Sequence, residues 1–138
     1  TTLNLSHNRL KKIEKDWLEL PSLEELNLMN NVLDEFSAGE VWMPALRVLN
    51  LSTNRFQKWP LLLVIAPLLE SVFLNKNRLT KVPKSVEFLP SLKKLNLSKN
   101  EITEILVKNW PLEFFRPISL LITTLPTFLA ERIEILKF

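Results

Sequence analysis

Apolar residues along this chain recur every 23 residues, and the polar residues between them keep the same frame. Leu23, Leu46, Leu69 and Leu92 open successive units and define position 1. Position 4 is then Leu3, Leu26, Leu49, Val72 and Leu95, and position 6 is Leu5, Leu28, Leu51, Leu74 and Leu97. Position 11 is Leu10, Leu33, Phe56, Leu79 and Ile102, and position 14 is Ile13, Phe36, Trp59, Val82 and Ile105. Leu20, Met43, Ala66 and Leu89 hold position 21, each followed by a proline: Pro21, Pro44, Pro67 and Pro90. A fixed period of this size denotes a stack of similar units, each burying its apolar side against a neighbour.

Positions 4 and 6 alternate with positions 3, 5 and 7, which point to the opposite face, the period-2 pattern of a short half-buried strand. Each unit must bring the chain back beside the one before, so the strands are predicted to stack in parallel into one sheet. The rest of each unit returns along the back as turns, 3₁₀ segments or a short helix. The returns KDWLELPSL of unit 1 and PKSVEFLPSL of unit 4 are the most helix-like. The proline at position 22 ends each return and favours an extended backbone ahead of it.

Position 9 is asparagine five times: Asn8, Asn31, Asn54, Asn77 and Asn100. It stands where the chain leaves the strand and turns inward. There an amide can both donate to and accept from the backbone of neighbouring loops, building a ladder between units. The unit L-x-x-L-x-L-x-x-N-x-L resembles the leucine-rich repeat family over essentially the whole chain. The resemblance implies an α/β fold: a right-handed horseshoe-shaped solenoid with a parallel β-sheet on its concave face. Irregular, 3₁₀ or short helical returns would line its convex face.

Residues 1–114 are read as five repeats, the first truncated at its start. Residues 115–138 are read as a degenerate sixth repeat or a C-terminal cap. There Phe115, Ile118, Leu120, Leu125 and Phe128 keep the frame, but Thr123 replaces the asparagine and Pro117 interrupts the strand. The chain opens inside a repeat without an initiator methionine, and Phe138 falls on position 1 of a further unit. It is therefore read as a piece of a longer protein, with apolar surface exposed at both ends of the stack.

Composition narrows the chemistry. The absence of cysteine removes any disulfide framework or thiolate metal site and makes a reducing compartment the simpler setting. One glycine leaves no phosphate-cradling loop. The longest apolar run, Leu61 to Ala66, is far shorter than the roughly 20 residues of a membrane span. His7, the only histidine, falls at position 8 on a solvated strand edge without a cysteine to serve. Glu24 and Glu25 are adjacent on a strand and so face differently, and Asp34 with Glu35 occupies a turn without a suggested pocket. No catalytic constellation, cofactor, metal or small-molecule substrate is expected.

Binding is the better-supported activity, because the sheet of a solenoid is an extended recognition surface. Its variable positions are 3, 5, 7, 8 and 10. Position 5 reads Asn4, Asn27, Asn50, Phe73 and Asn96, so Phe73 puts an aromatic into a polar row. Position 10 reads Arg9, Val32, Arg55, Arg78 and Glu101. The candidate contact residues are Arg9, Asn27, Asn50, Arg55, Phe73, Lys76, Arg78, Asn96 and Lys99. Units 3 to 5 gather positive charge, adding Arg47, Lys58, Lys81, Lys93 and Lys94, while unit 2 carries Glu24, Glu25, Asp34 and Glu35. Such a stripe either steers an acidic protein partner or simply keeps the surface solvated. Net charge is only +3, and the interleaved aromatics of a single-strand nucleic-acid platform are missing.

Two further features bear on setting. Leu61–Ile65, with Val41 and Trp42 nearby in the stack, form either an apolar docking patch on the back or an unusually buried turn. The sequons at Asn4, Asn50 and Asn96 would crowd the sheet face if glycosylated, which favours the cytoplasm. The 23-residue unit and the Trp59-Pro60 and Val82-Pro83 pairs are similar to the cytosolic subclass of the family. That subclass includes Roco-type kinases and GTPases and Ras-pathway scaffolds. The expectation is a protein–protein interaction scaffold within an intracellular signalling protein. Two alternatives stand beside it: a fragment of an extracellular receptor or adhesion ectodomain, and the substrate-selecting or regulatory region of an enzyme whose catalytic domain lies elsewhere.

Overall fold

The computed structural model describes residues 1–14, 19–36, 43–60 and 66–106. Within them the 23-residue frame becomes five strands: β1 (Thr2–Asn4), β2 (Glu25–Asn27), β3 (Val48–Asn50), β4 (Ser71–Phe73) and β6 (Lys94–Asn96). All are parallel and hydrogen-bonded in chain order, with register fixed by the repeat, so that Leu3, Leu26, Leu49, Val72 and Leu95 are successive partners. Each strand covers positions 3 to 5 of its unit. Position 4 is buried from β2 onward, while positions 3 and 5 are exposed or half-buried. The alternation in the sequence is thus the inside–outside alternation of one sheet.

The core is one continuous stack. Leu23, Leu46, Leu69 and Leu92 of position 1 lie in it with Leu28, Leu51, Leu74 and Leu97 of position 6. Leu33, Phe56, Leu79 and Ile102 of position 11 complete it toward the return side. Among the described residues the first unit packs against the second alone. Its Leu3, Leu5 and Leu10 are half-buried, and Leu20 stays 41% exposed although it occupies a position that is buried in the later units.

Two local features differ from the sequence reading. The position-22 proline does more than end the return. The N–H of Leu23 bonds the carbonyl of Leu20 at 3.0 Å, and Leu46, Leu69 and Leu92 bond Met43, Ala66 and Leu89 in the same way. Proline is therefore the second residue of a β-turn, the place its fixed φ suits. A second, two-stranded parallel sheet also forms at positions 13 and 14, from β5 (Lys81–Val82) and β7 (Glu104–Ile105). Between β5 and β6 the return of unit 4 is a 3₁₀ helix, Lys84–Phe88, and no α-helix occurs among the described residues. The helix-like stretch of unit 1 (Lys15–Leu18), the apolar run Leu61–Ile65, Val41 and Trp42, and the sixth repeat or cap at 115–138 lie outside the described residues.

Candidate functional site

The outer face of the sheet is built on a rigid backbone. Asn31, Asn54 and Asn77 are buried at the exit of each strand. Each carries two kinds of bond to the unit before it. The amide of Asn54 donates to the carbonyl of Leu28 at 3.0 Å, and its oxygen accepts the N–H of Leu33 at 3.1 Å. Asn31, Asn77 and Asn100 repeat the pair with Leu5 and Leu10, Leu51 and Phe56, and Leu74 and Leu79. Asn8 is exposed and bonds the carbonyls of Leu5 and Ser6 in its own unit. No buried side-chain nitrogen or oxygen among the described residues lacks a partner.

Position 8 carries a backbone feature that the sequence conceals. His7, Asn30, Thr53, Lys76 and Lys99 all have φ between 56° and 58°, the left-handed region. In the first four the N–H bonds the next unit: Thr53, for example, donates to the carbonyl of Asn75 at 2.9 Å and Lys76 to that of Ser98 at 2.9 Å. Asparagine and histidine tolerate this region, but a β-branched threonine there is strained. Composition offered no signal, because the chain uses no glycine at these turns. His7 is also tied down, since Asn30 Nδ2 donates to its Nδ1 at 2.9 Å.

The candidate contact residues fall into two groups. At position 5, Asn27, Asn50 and Asn96 spend their side-chain oxygen locally, accepting the N–H of Met29, Ser52 and Ser98 at 3.0 to 3.1 Å. Phe73 cannot make this bond, and it lies half-buried between Asn50 and Asn96 in the register. In its unit the neighbouring Asn75 accepts instead, from Ser52 Oγ at 2.8 Å. Arg9, Arg55, Lys76, Arg78 and Lys99 form the second group, all exposed along positions 8 and 10.

The basic residues of units 3 to 5 do not make one stripe. Arg47 and Lys93 flank Glu70 at 2.6 and 2.8 Å across adjacent units, and Lys81 pairs with Glu104 at 2.7 Å. Glu70 is 28% exposed, and the hydrogen bonds from Lys93 and then Arg47 hold its carboxyl below the usual value. The pairs made by Glu70 belong to a row of alternating charge at position 2: Glu24, Arg47, Glu70 and Lys93. That row was legible at the 23-residue spacing. Among the described residues no ion pair engages Arg55, Lys58, Lys76, Arg78, Lys94 or Lys99.

Two open recesses lie where the chain passes from the sheet toward the return. One, of about 730 Å³, is lined by Asp34, Glu35, Phe36, Phe56, Lys58 and Trp59, among others. The structure thus gives the two turn acids a recess that the sequence did not suggest, and its lining holds no histidine, serine or threonine. The second, of about 550 Å³, is lined by Gln57, Lys58, Arg78, Thr80 and Glu101. Among the described residues no group of three or more histidine, cysteine, aspartate or glutamate side chains could hold a metal ion. No described helix is long and apolar enough to cross a membrane.

A family model described as leucine rich repeat matches residues 1–56 and 67–108, and the chain belongs to that family. No curated protein matches it. Domains of this family are protein–protein interaction modules in general, and their solenoid is typically a non-catalytic binding scaffold.

Proposed function

We propose that this leucine-rich repeat chain binds an acidic protein partner on the outer face of its sheet, as part of a larger intracellular signalling protein. The observation that carries the reading is Phe73. It replaces an asparagine whose oxygen would close the local turn, and it remains half-exposed in a row whose other members are all asparagine. Aromatics ringed by polar side chains are where binding energy concentrates. Arg55, Lys76, Arg78 and Lys99 lie beside it in the same three units and carry charge that no described acid neutralises. A negative partner would be steered to that side.

The cytoplasmic setting draws support from the lack of cysteine and from the sequons. Asn50 and Asn96 are the register partners of Phe73 on the outer face of the sheet. A glycan on either would stand on the proposed contact face.

The test is affinity capture from cytosol with the intact chain, Phe73→Ala and Arg78→Glu. Both variants should lose the captured protein while melting within a few degrees of the parent. A partner retained equally by all three would refute the sheet-face reading.

A further inference from the structure

We infer that the recess beside unit 4 receives one carboxylate side chain of the partner, and that Glu101 makes it discriminate against phosphate. This deepens the protein-recognition reading above and rests on it.

The recess draws its lining from three successive units: Gln57 and Lys58 from unit 3, Arg78 and Thr80 from unit 4, and Glu101 from unit 5. Their placement follows from the core. Phe56, Leu79 and Ile102 at position 11 are buried, so the residues on either side of them turn outward. The backbone beneath is pinned between units. The N–H of Arg78 bonds the carbonyl of Phe56 at 2.9 Å, that of Glu101 bonds Leu79 at 3.0 Å, and that of Thr103 bonds Thr80 at 2.9 Å. The N–H of Leu79 is held by the Asn100 side chain at 2.9 Å. A rigid floor lowers the ordering cost of binding.

Every residue of the lining is polar or charged, although their aliphatic stems form part of its wall. Arg78 supplies a planar fork suited to a carboxylate, Lys58 a second positive charge, and Thr80 and Gln57 neutral donors. Among the described residues no ion pair consumes Lys58, Arg78 or Glu101, whereas the neighbouring Lys81 is taken by Glu104 at 2.7 Å. Two cations and one anion leave the lining with a single positive charge. A carboxylate balances it. A phosphate monoester, about −1.5 to −2 at neutral pH, would overshoot and face Glu101. Glu101 can instead accept the backbone N–H of the residue that brings the carboxylate. A volume of about 550 Å³ accommodates such a residue whole.

The test is a titration of backbone amide NMR signals with three probes: N-acetylglutamate amide, N-acetylglutamine amide and N-acetylphosphoserine amide. The glutamate probe should shift the amides of Gln57, Lys58, Arg78, Thr80 and Glu101 saturably at millimolar concentrations, and the glutamine probe should not. The phosphoserine probe should bind at least about fivefold more weakly. Arg78→Gln should weaken the glutamate probe about tenfold or more, and Glu101→Gln should shift the preference toward phosphoserine. Absence of saturable shifts, an unaffected Arg78→Gln, or a parent chain that prefers phosphate would each overturn the inference. Phe73→Ala should leave this titration unchanged. A failed titration with Phe73-dependent partner capture intact therefore refutes the recess alone, and the converse refutes the sheet-face reading alone.

Discussion

The side chain of Asn54 reaches back to the carbonyl of Leu28, 26 residues earlier, and donates to it at 3.0 Å. The same amide donates to Leu51 of its own unit at 3.1 Å, so one NH₂ group clamps two consecutive strand exits. Every one of these groups is buried, and water cannot replace the asparagine without repacking. Asn54→Ala should therefore cost about 2–3 kcal/mol in a denaturant melt. Asn8→Ala should cost under about 1 kcal/mol, because Asn8 is exposed and bonds only its own unit. Equal losses at the two sites would mean that the inter-unit bonds contribute nothing of their own.

Thr53 lies at φ 56° in a turn that asparagine occupies one unit earlier, at Asn30. A β-branched residue resists this region, and asparagine enters it more readily. Thr53→Asn should raise stability by about 0.5–1 kcal/mol without altering the fold. A destabilised variant would show that the threonine side chain makes a contribution larger than the backbone strain.

Glu70 links three units through Arg47 and Lys93. Its folded-state pKa lies below the ordinary value of 4.5, so its contribution is present above that value and is lost as pH falls through the lower folded one. Thermal melts between about pH 5 and pH 3 should fall less steeply for Glu70→Gln than for the parent. The difference should shrink in high salt, as expected for partly exposed charges. Parallel pH profiles would remove Glu70 from the acid response.

The sorting of the cations separates two classes of variant. Lys76→Gln or Arg55→Gln should slow association with the captured partner and weaken its dependence on salt, because these charges have no described acid beside them. Arg47→Gln should leave association nearly unchanged and lower the melting temperature instead, since Arg47 bonds Glu70 at 2.6 Å. A similar loss of association rate for Arg47 and Lys76 would contradict this division.

The strand positions, their parallel order and the one-unit register were all legible in the sequence. The side chains that bury, from Leu26 to Ile102, repeat at a constant interval, and a constant interval leaves a returning chain only one way to stack. The alternating charges at Glu24, Arg47, Glu70 and Lys93 were equally readable along the same column. Other features were not. Left-handed backbone at His7, Thr53 and Lys76 has no compositional mark, because it accompanies an N–H that reaches the next unit. The division of the basic residues into paired and unpaired, and the recess shared by Lys58, Arg78 and Glu101, depend on side chains brought together from different units. Periodicity by itself determined the solenoid, because apolar positions repeated at one interval can be buried only by stacking each unit on its neighbour. Only the tertiary structure decided which charges remain available, because ion pairing is a property of neighbours and depends on distances across the stack.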